Sequence, residues 1–366
     1  MDKIKVGITH GDINGIGYEV ILKAFSDIRI AEICTPVIYG STKVAAYHRK
    51  ALDLPPVMFN QISTADAAEQ DKVNMVNCID EEVKVELGKP SKAAGDAAFK
   101  ALEMATQDLA DGLIDVLVTA PIDKDSIQQE GFHFPGHTEY LEGKFAREGE
   151  HSLMILAKDN LRVALVTGHL PLSQVPESIT PEKIKNALKI FDYSLRRDFS
   201  IGKPRIAVLS LNPHAGENGL LGTEEKEIIT PALAAAENEG IMCFGPFAAD
   251  GFFGAGQFAH YDGILAMYHD QGLAPFKTIA MEEGVNFTAG LPIIRTSPAH
   301  GTAYSIAGKN EASEESLRQA IYMAIDTYRS RKQYDKAHSN PLRKLYYEKG
   351  SDNEVLDLTK NDENQD

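Results

Sequence analysis

The stretch Arg205-Ile206-Ala207-Val208-Leu209-Ser210-Leu211-Asn212-Pro213-His214-Ala215-Gly216-Glu217 sets the reading of the whole chain. Its first half is an apolar, β-branched run of strand type. Proline and glycine then impose a loop, with a histidine at the junction. The pattern recurs twice. Residues 162–166 lead into Thr167-Gly168-His169-Leu170-Pro171-Leu172, and residues 264–267 into Tyr268-His269-Asp270-Gln271-Gly272. In parallel α/β sheets the carboxyl ends of strands face a crevice where ligands bind. His169, His214 and His269 brought to that crevice would suit Zn²⁺ or another borderline cation, with positions left open for substrate. A single histidine is ordinarily a surface or hydrogen-bonded core residue. His48, His151, His260 and His338 are read that way.

Working outward, strand-like segments at 3–9, 36–39, 73–79, 116–119, 153–157, 162–166, 205–211 and 263–267 alternate with helical spacing at 91–109, 181–197, 224–239 and 311–336. Pro181 suits a first helical turn, and Thr223 before Glu224 and Glu225 suits a helix start. The alternation predicts an α/β architecture with a largely parallel sheet. At 366 residues two domains are the default. No repeat or long linker separates them, so they are expected to interleave: 1–125 with about 300–340 as one, 126–299 as the other, and 341–366 as a disordered acidic tail.

Composition narrows the function. The chain is 43% apolar and 25% charged, as in soluble enzymes, with a net charge of −16. That balance argues against a nucleic-acid partner, which needs a basic face. No apolar run reaches the roughly 18–20 residues of a membrane span. Cys34, Cys78 and Cys243 are odd in number and not motif-spaced, which predicts reduced, buried thiols and a cytoplasmic location.

Three further segments carry chemistry. Pro135-Gly136-His137-Thr138-Glu139-Tyr140 reads as a loop feeding a helix, with Thr138 as its N-cap and amides free for an anion. Lys277, Asn286 and Arg295 lie among apolar and glycine-rich residues. Arg295 ends an apolar run, a costly place for a guanidinium unless an anion or carboxylate meets it. Ser297-Pro298-Ala299-His300-Gly301-Thr302-Ala303 forms a loop, with a helix expected at 304–309. The turn Thr9-His10-Gly11-Asp12-Ile13-Asn14-Gly15-Ile16-Gly17 is neither a dinucleotide fingerprint nor a Walker A loop.

The segments Gly136-His137-Thr138-Glu139, His169-Leu170-Pro171-Leu172, Asn212-Pro213-His214-Ala215-Gly216-Glu217, Tyr268-His269-Asp270-Gln271-Gly272, Gly284-Val285-Asn286, Gly290-Leu291-Pro292 and Ile294-Arg295-Thr296-Ser297 together resemble the 4-hydroxythreonine-4-phosphate dehydrogenase family of pyridoxal phosphate biosynthesis, across about residues 4–335. The resemblance implies two α/β domains around a central cleft, as in isocitrate and isopropylmalate dehydrogenases. It implies NAD or NADP as cofactor and one divalent metal ion (Zn, Mg or Co). The reaction would be oxidation of 4-phosphohydroxy-L-threonine followed by decarboxylation to 3-amino-2-oxopropyl phosphate. By that resemblance His169, His214 and His269 hold the metal, one of them across a homodimer interface. His137, Thr138, Lys277, Asn286 and Arg295 contact substrate, and His300 and Gly301 contact the nucleotide. Lys277, Asp250, Asp270 and Lys124 remain candidates for the proton acceptor, Lys277 and Asp250 foremost. Ile13, Asn14 and Tyr18 replace the family's Pro, Ala and Pro. Dehydrogenases of 4-phospho-threonate or 4-phospho-erythronate are the neighbouring alternative, and a phosphate acyltransferase the alternative of another class.

Overall fold

The strand runs of the sequence assemble into one sheet in a computed structural model, which describes residues 3–79, 82–128 and 132–340. The expected acidic tail at 341–366 lies outside the described residues. In chain order the strands are β1 (Lys5–Thr9), β2 (Thr35–Gly40), β3 (Phe59–Ile62), β4 (Val73–Asn77), β5 (Val116–Thr119), β6 (Leu153–Lys158), β7 (Leu161–Leu165), β8 (Ile206–Leu209), β9 (Cys243–Phe247), β10 (Gly263–Ala266), β11 (Val285–Ala289) and β12 (Arg295–Pro298). They lie in the order β3-β4-β2-β1-β5-β12-β11-β6-β7-β10-β8-β9. The helices are α1 (Gly17–Phe25), α2 (Ile30–Ile33), α3 (Thr42–Ala51), α4 (Lys92–Ala110), α5 (His137–Phe145), α6 (Val175–Ser178), α7 (Pro181–Arg197), α8 (Thr230–Asn238), α9 (Ala249–Gly254), α10 (His269–Ala280) and α11 (Glu315–His338).

Eight of the eleven strand pairings are parallel, as the alternation predicts. The three antiparallel pairings, β12 with β11, β11 with β6 and β6 with β7, fall together at the sheet centre. An odd number of reversals makes the two parallel halves run in opposite senses. The inner strands of the parallel halves are mostly apolar and buried, since helices cover both faces. Ile206-Ala207-Val208-Leu209 of β8 is fully buried. Helix α7 shows how the second layer attaches. Thr180 caps it by accepting from the Lys183 amide, Pro181 opens it, and Ile184, Leu188, Phe191 and Leu195 bury one stripe. Gly263 of β10 leaves room for that stripe, because a Cβ there would meet the Phe191 ring at 2.5 Å.

Four strands escape the sequence pattern for identifiable reasons. β9 contains Gly245-Pro246, a pair that ordinarily argues against a strand, but β9 is an edge strand and tolerates the missing donor. β11 and β12 carry Asn286, Arg295 and Ser297, so their polarity masks them, and β3 is a short edge strand with Asn60 and Gln61. Residues 304–310, expected to include a helix, form turns instead, with positive φ at Gly308 and Asn310. Among the described residues no helix is long and apolar enough to cross a membrane.

Candidate active site

Strand order decides which of the distant residues meet. β7 and β10 are neighbours, and their ends are tied where Thr167 donates its hydroxyl (2.7 Å) and its amide (3.2 Å) to the Met267 carbonyl. The imidazoles just beyond, His169 and His269, therefore stand with ring centroids 5.4 Å apart. Burial lowers the pKa of His169, and Lys124 and His269 add to this, so its ring is held neutral. His269 Nδ1 lies 2.7 Å from an Asp270 carboxylate oxygen, which fixes Nδ1–H and leaves the Nε2 lone pair available to a cation.

The third histidine stands apart. β8 is one strand further out, and His214 follows it, exposed, in a run of left-handed residues with φ of 50° at His214, 53° at Ala215, 44° at Glu217 and 57° at Asn218. Such backbone costs about 1–2 kcal/mol per non-glycine residue and survives only where the surroundings impose it. Glu225 does so, accepting from the Leu211 and Asn212 amides at 2.8 and 2.7 Å. Among the described residues of a single chain, no group of three His, Cys, Asp or Glu is placed to hold a metal ion.

His169 and His269 line a cavity of about 320 Å³. From the other half of the sheet come Thr119 at the end of β5, Lys124 beyond it, and His137, Thr138 and Glu139 of α5. The central strands give Met154, Asn286, Arg295 and Ser297, α10 gives Lys277, and the loop after β12 gives His300 and Gly301. Thus eight of the ten expected substrate, cofactor and catalytic or metal positions beyond His169 fall in one cavity with it. Asp250 and His214 do not: Asp250 sits exposed on α9. Thr138 lines the cavity but is not the expected N-cap, because α5 begins one residue earlier, at His137, with Gly136 as its cap.

The electrostatic centre is Arg295. It is 3% exposed, and burial lowers its pKa to about 10, an effect that Glu139 partly opposes. No described carboxylate lies within ion-pair distance. Its Nε and Nη2 donate to Thr119 Oγ1 at 3.0 and 2.6 Å, Nη1 to Thr288 Oγ1 at 3.3 Å, and Nη2 to His137 Nδ1 at 3.2 Å. His137 is pushed well below the usual histidine range by burial and then by Arg295 and Lys124. Three buried atoms of the lining, His137 Nε2, Asn286 Oδ1 and His300 Nε2, have no partner among the described residues. A cavity with Arg295, Lys124 and Lys277, unpaired polar atoms and the paired imidazoles of His169 and His269 is suited to an anion with a cation beside it. Thr119 was not legible as a site residue, although a polar residue closing a buried strand is the signal that marks it.

The Gly-rich turn after β1 is packed, not open. Its Asp12 amide donates to the Pro121 carbonyl at 2.8 Å, its Ile16 amide to the Thr302 carbonyl, and Tyr304 Oη reaches Asp12 at 2.8 Å. Tyr18, one of the departures from the family's loop, accepts from the Ser41 amide at 2.8 Å and stacks between His10 and His48.

Comparison with known proteins agrees with this geometry. Residues 32–324 match the family model of the pyridoxal phosphate biosynthetic protein PdxA. The chain is 61% identical over 362 residues, 99% of each, to a 4-hydroxythreonine-4-phosphate dehydrogenase of Bacteroides thetaiotaomicron. It is 39% identical over 325 residues, 88% of this chain and 97% of the other, to a protein of Oceanobacillus iheyensis provisionally named a D-threonate 4-phosphate dehydrogenase. The crystal structure of 4-hydroxythreonine-4-phosphate dehydrogenase from Klebsiella pneumoniae is similar at a TM-score of 0.76 and 33% identity, covering 90% of this chain and 98% of that one. A match of this extent, on a chain whose distant motifs fold into one anion-suited cavity, places the protein in the PdxA family of pyridoxal phosphate biosynthetic proteins.

Proposed function

We propose that the protein oxidises 4-phosphohydroxy-L-threonine at its 3-hydroxyl with NAD or NADP and releases CO₂, leaving 3-amino-2-oxopropyl phosphate. The observation that carries the reading is Arg295, a buried guanidinium in the cavity with only neutral partners. A phosphate or carboxylate supplies the charge it lacks. Lys124, Lys277, His137, Thr138 and Asn286 surround the same space and would orient the substrate's phosphate and carboxylate. His300 and Gly301 would contact the nucleotide.

His169 and His269 fit a divalent cation, since their imidazoles stand side by side in the cavity, and His214 completes the ligand set from a second copy of the chain. Exposed Leu170, Leu172, Leu220 and Leu221 beside His169 and His214 support such a homodimer. When bound, the nicotinamide accepts the hydride and the divalent metal (zinc, magnesium or cobalt) polarises the oxygen of the reacting carbon. Lys277 would take the hydroxyl proton; it lines the cavity, whereas Asp250 does not. Residues 1–125 with about 300–340, and residues 126–299, form the two lobes in this reading. The three free cysteines support a cytoplasmic location.

The test is NADH or NADPH absorbance with 4-phosphohydroxy-L-threonine and with 4-phospho-D-threonate, before and after chelation and with metal restored. Faster turnover of the second substrate would favour the reading suggested by the Oceanobacillus relative. No turnover of either, with metal present, rejects the dehydrogenase reading and turns attention to acyl transfer.

A further inference from the structure

The hydrogen bonds around Arg295 determine where protons lie on its neighbours. Thr119 Oγ1 accepts two of them, from Nε at 3.0 Å and Nη2 at 2.6 Å, which fills both lone pairs of a hydroxyl. Its own hydrogen is therefore free to be donated, and no described residue takes it. His137 Nδ1 accepts from Nη2 at 3.2 Å, and an arginine cannot accept in return. The neutral ring must then carry its hydrogen on Nε2, the buried atom left without a partner. Thr119 and Thr288 are 0% and 1% exposed, so the frame holding the guanidinium is itself buried.

We propose that Thr119 is a positioning residue: by holding Arg295 it fixes His137 as an Nε2–H donor, so that this wall of the cavity presents donors only. The wall therefore selects an anionic oxygen group, phosphate or carboxylate, over a neutral group that would itself bring a hydrogen. The inference rests on the cavity being the substrate site. It assigns a role to a residue outside the expected contact set.

Two readouts test it in the full-length protein. Long-range proton–nitrogen NMR on histidine-labelled protein, with His137 identified through H137N, reads the tautomer without any substrate. The expected result is an Nε2–H ring in the wild type and in Thr119→Ser, and mixed tautomers in Thr119→Val. Inorganic phosphate should shift the Nε2–H resonance in the first two and not in the third. In the turnover assay, Thr119→Val should raise KM for the phosphorylated substrate about tenfold or more, the worth of one charge-assisted hydrogen bond. It should change kcat less, and Thr119→Ser should restore KM. An Nδ1–H ring in the wild type, or valine and serine variants alike in tautomer and in KM, overturns the proposal. A wild type that turns over neither phosphorylated substrate defeats the proposed activity instead, and the tautomer and phosphate shifts still judge Thr119.

Discussion

Replacing Arg295 with methionine separates binding from folding more sharply than any other single change. The guanidinium is 3% exposed and its pKa falls from 12.5 to about 10 through burial. At 1.36 kcal/mol per pKa unit, the site withholds about 3 kcal/mol from the charged form when no anion is present. Methionine fills similar space without that burden, but it leaves the hydroxyls of Thr119 and Thr288 short of donors, at about 1–3 kcal/mol for the pair. The two effects oppose and nearly cancel. Thermal unfolding of the unliganded variant is therefore expected within a few degrees of the wild type, taking about 2–4 °C per kcal/mol. Binding has no such offset. Loss of about 3 kcal/mol of charge-assisted contact should raise KM for the phosphorylated substrate about a hundredfold, and inorganic phosphate should no longer raise the melting temperature. A variant that melts far below the wild type while keeping its KM would show that Arg295 serves the fold, and would refute the reasoning.

Other consequences can be checked by simpler measurements. His10 and His48 are buried neutral, each with a pKa lowered to about 4 by burial; both are unprotonated at pH 7, so stability is full above pH 6.5 and should fall by up to about 3 kcal/mol per imidazole as pH drops from 6.5 toward 4, read as urea midpoints. Gly95→Ala in helix α4 should lower the melting temperature despite the better helix former, because its Cβ would lie 1.8 Å from the carbonyl oxygen of Ser126 packed against that helix. Burial raises the thiols of Cys34 and Cys78 to about 12 and of Cys243 to about 11; a thiol reagent at pH 8 should label the native protein slowly and the urea-unfolded protein completely.

What the sequence disclosed follows from how far each signal reaches. The parallel strands were legible because burial on both faces writes itself as continuous apolar runs, as in residues 206–209 and 263–266. β11 and β12 were not, because the strands that meet at the cavity must carry its polar residues: Asn286, Arg295 and Ser297 hide the pattern that would reveal them. Likewise the junction histidines were visible as local motifs, yet their partnership depends on strand order. His169 and His269 meet because β7 borders β10; β8 borders β10 as well, but His214 lies in the left-handed run that follows it and stands off, an outcome that no local run of residues encodes. Helix α10 was masked by Gly272 and Pro275, which read as breakers, although Pro275 lies inside the helix.

The sheet centre also explains how a chain with a net charge of −16 can take a doubly charged substrate. Surface charge is screened within about 8–10 Å of salt solution, so a distant acidic face weighs little on a cavity. What weighs is the local set, and the reversals at β12, β11, β6 and β7 create it. Each half of the sheet sends its own residues to the seam: Lys124 follows β5, Lys277 rides on α10 behind β10, and Arg295 opens β12 between them. A uniformly parallel sheet would align all strand ends on one edge and leave its middle an apolar core. Here the middle strands bear Asn286, Arg295 and Ser297, and the unpaired charge of Arg295 is the energetic mark of that arrangement. Its cost is about 3 kcal/mol without ligand, and an anion returns it on binding. Affinity for the anion and the instability of the empty seam are therefore one quantity, and a substitution that relieves the second must weaken the first.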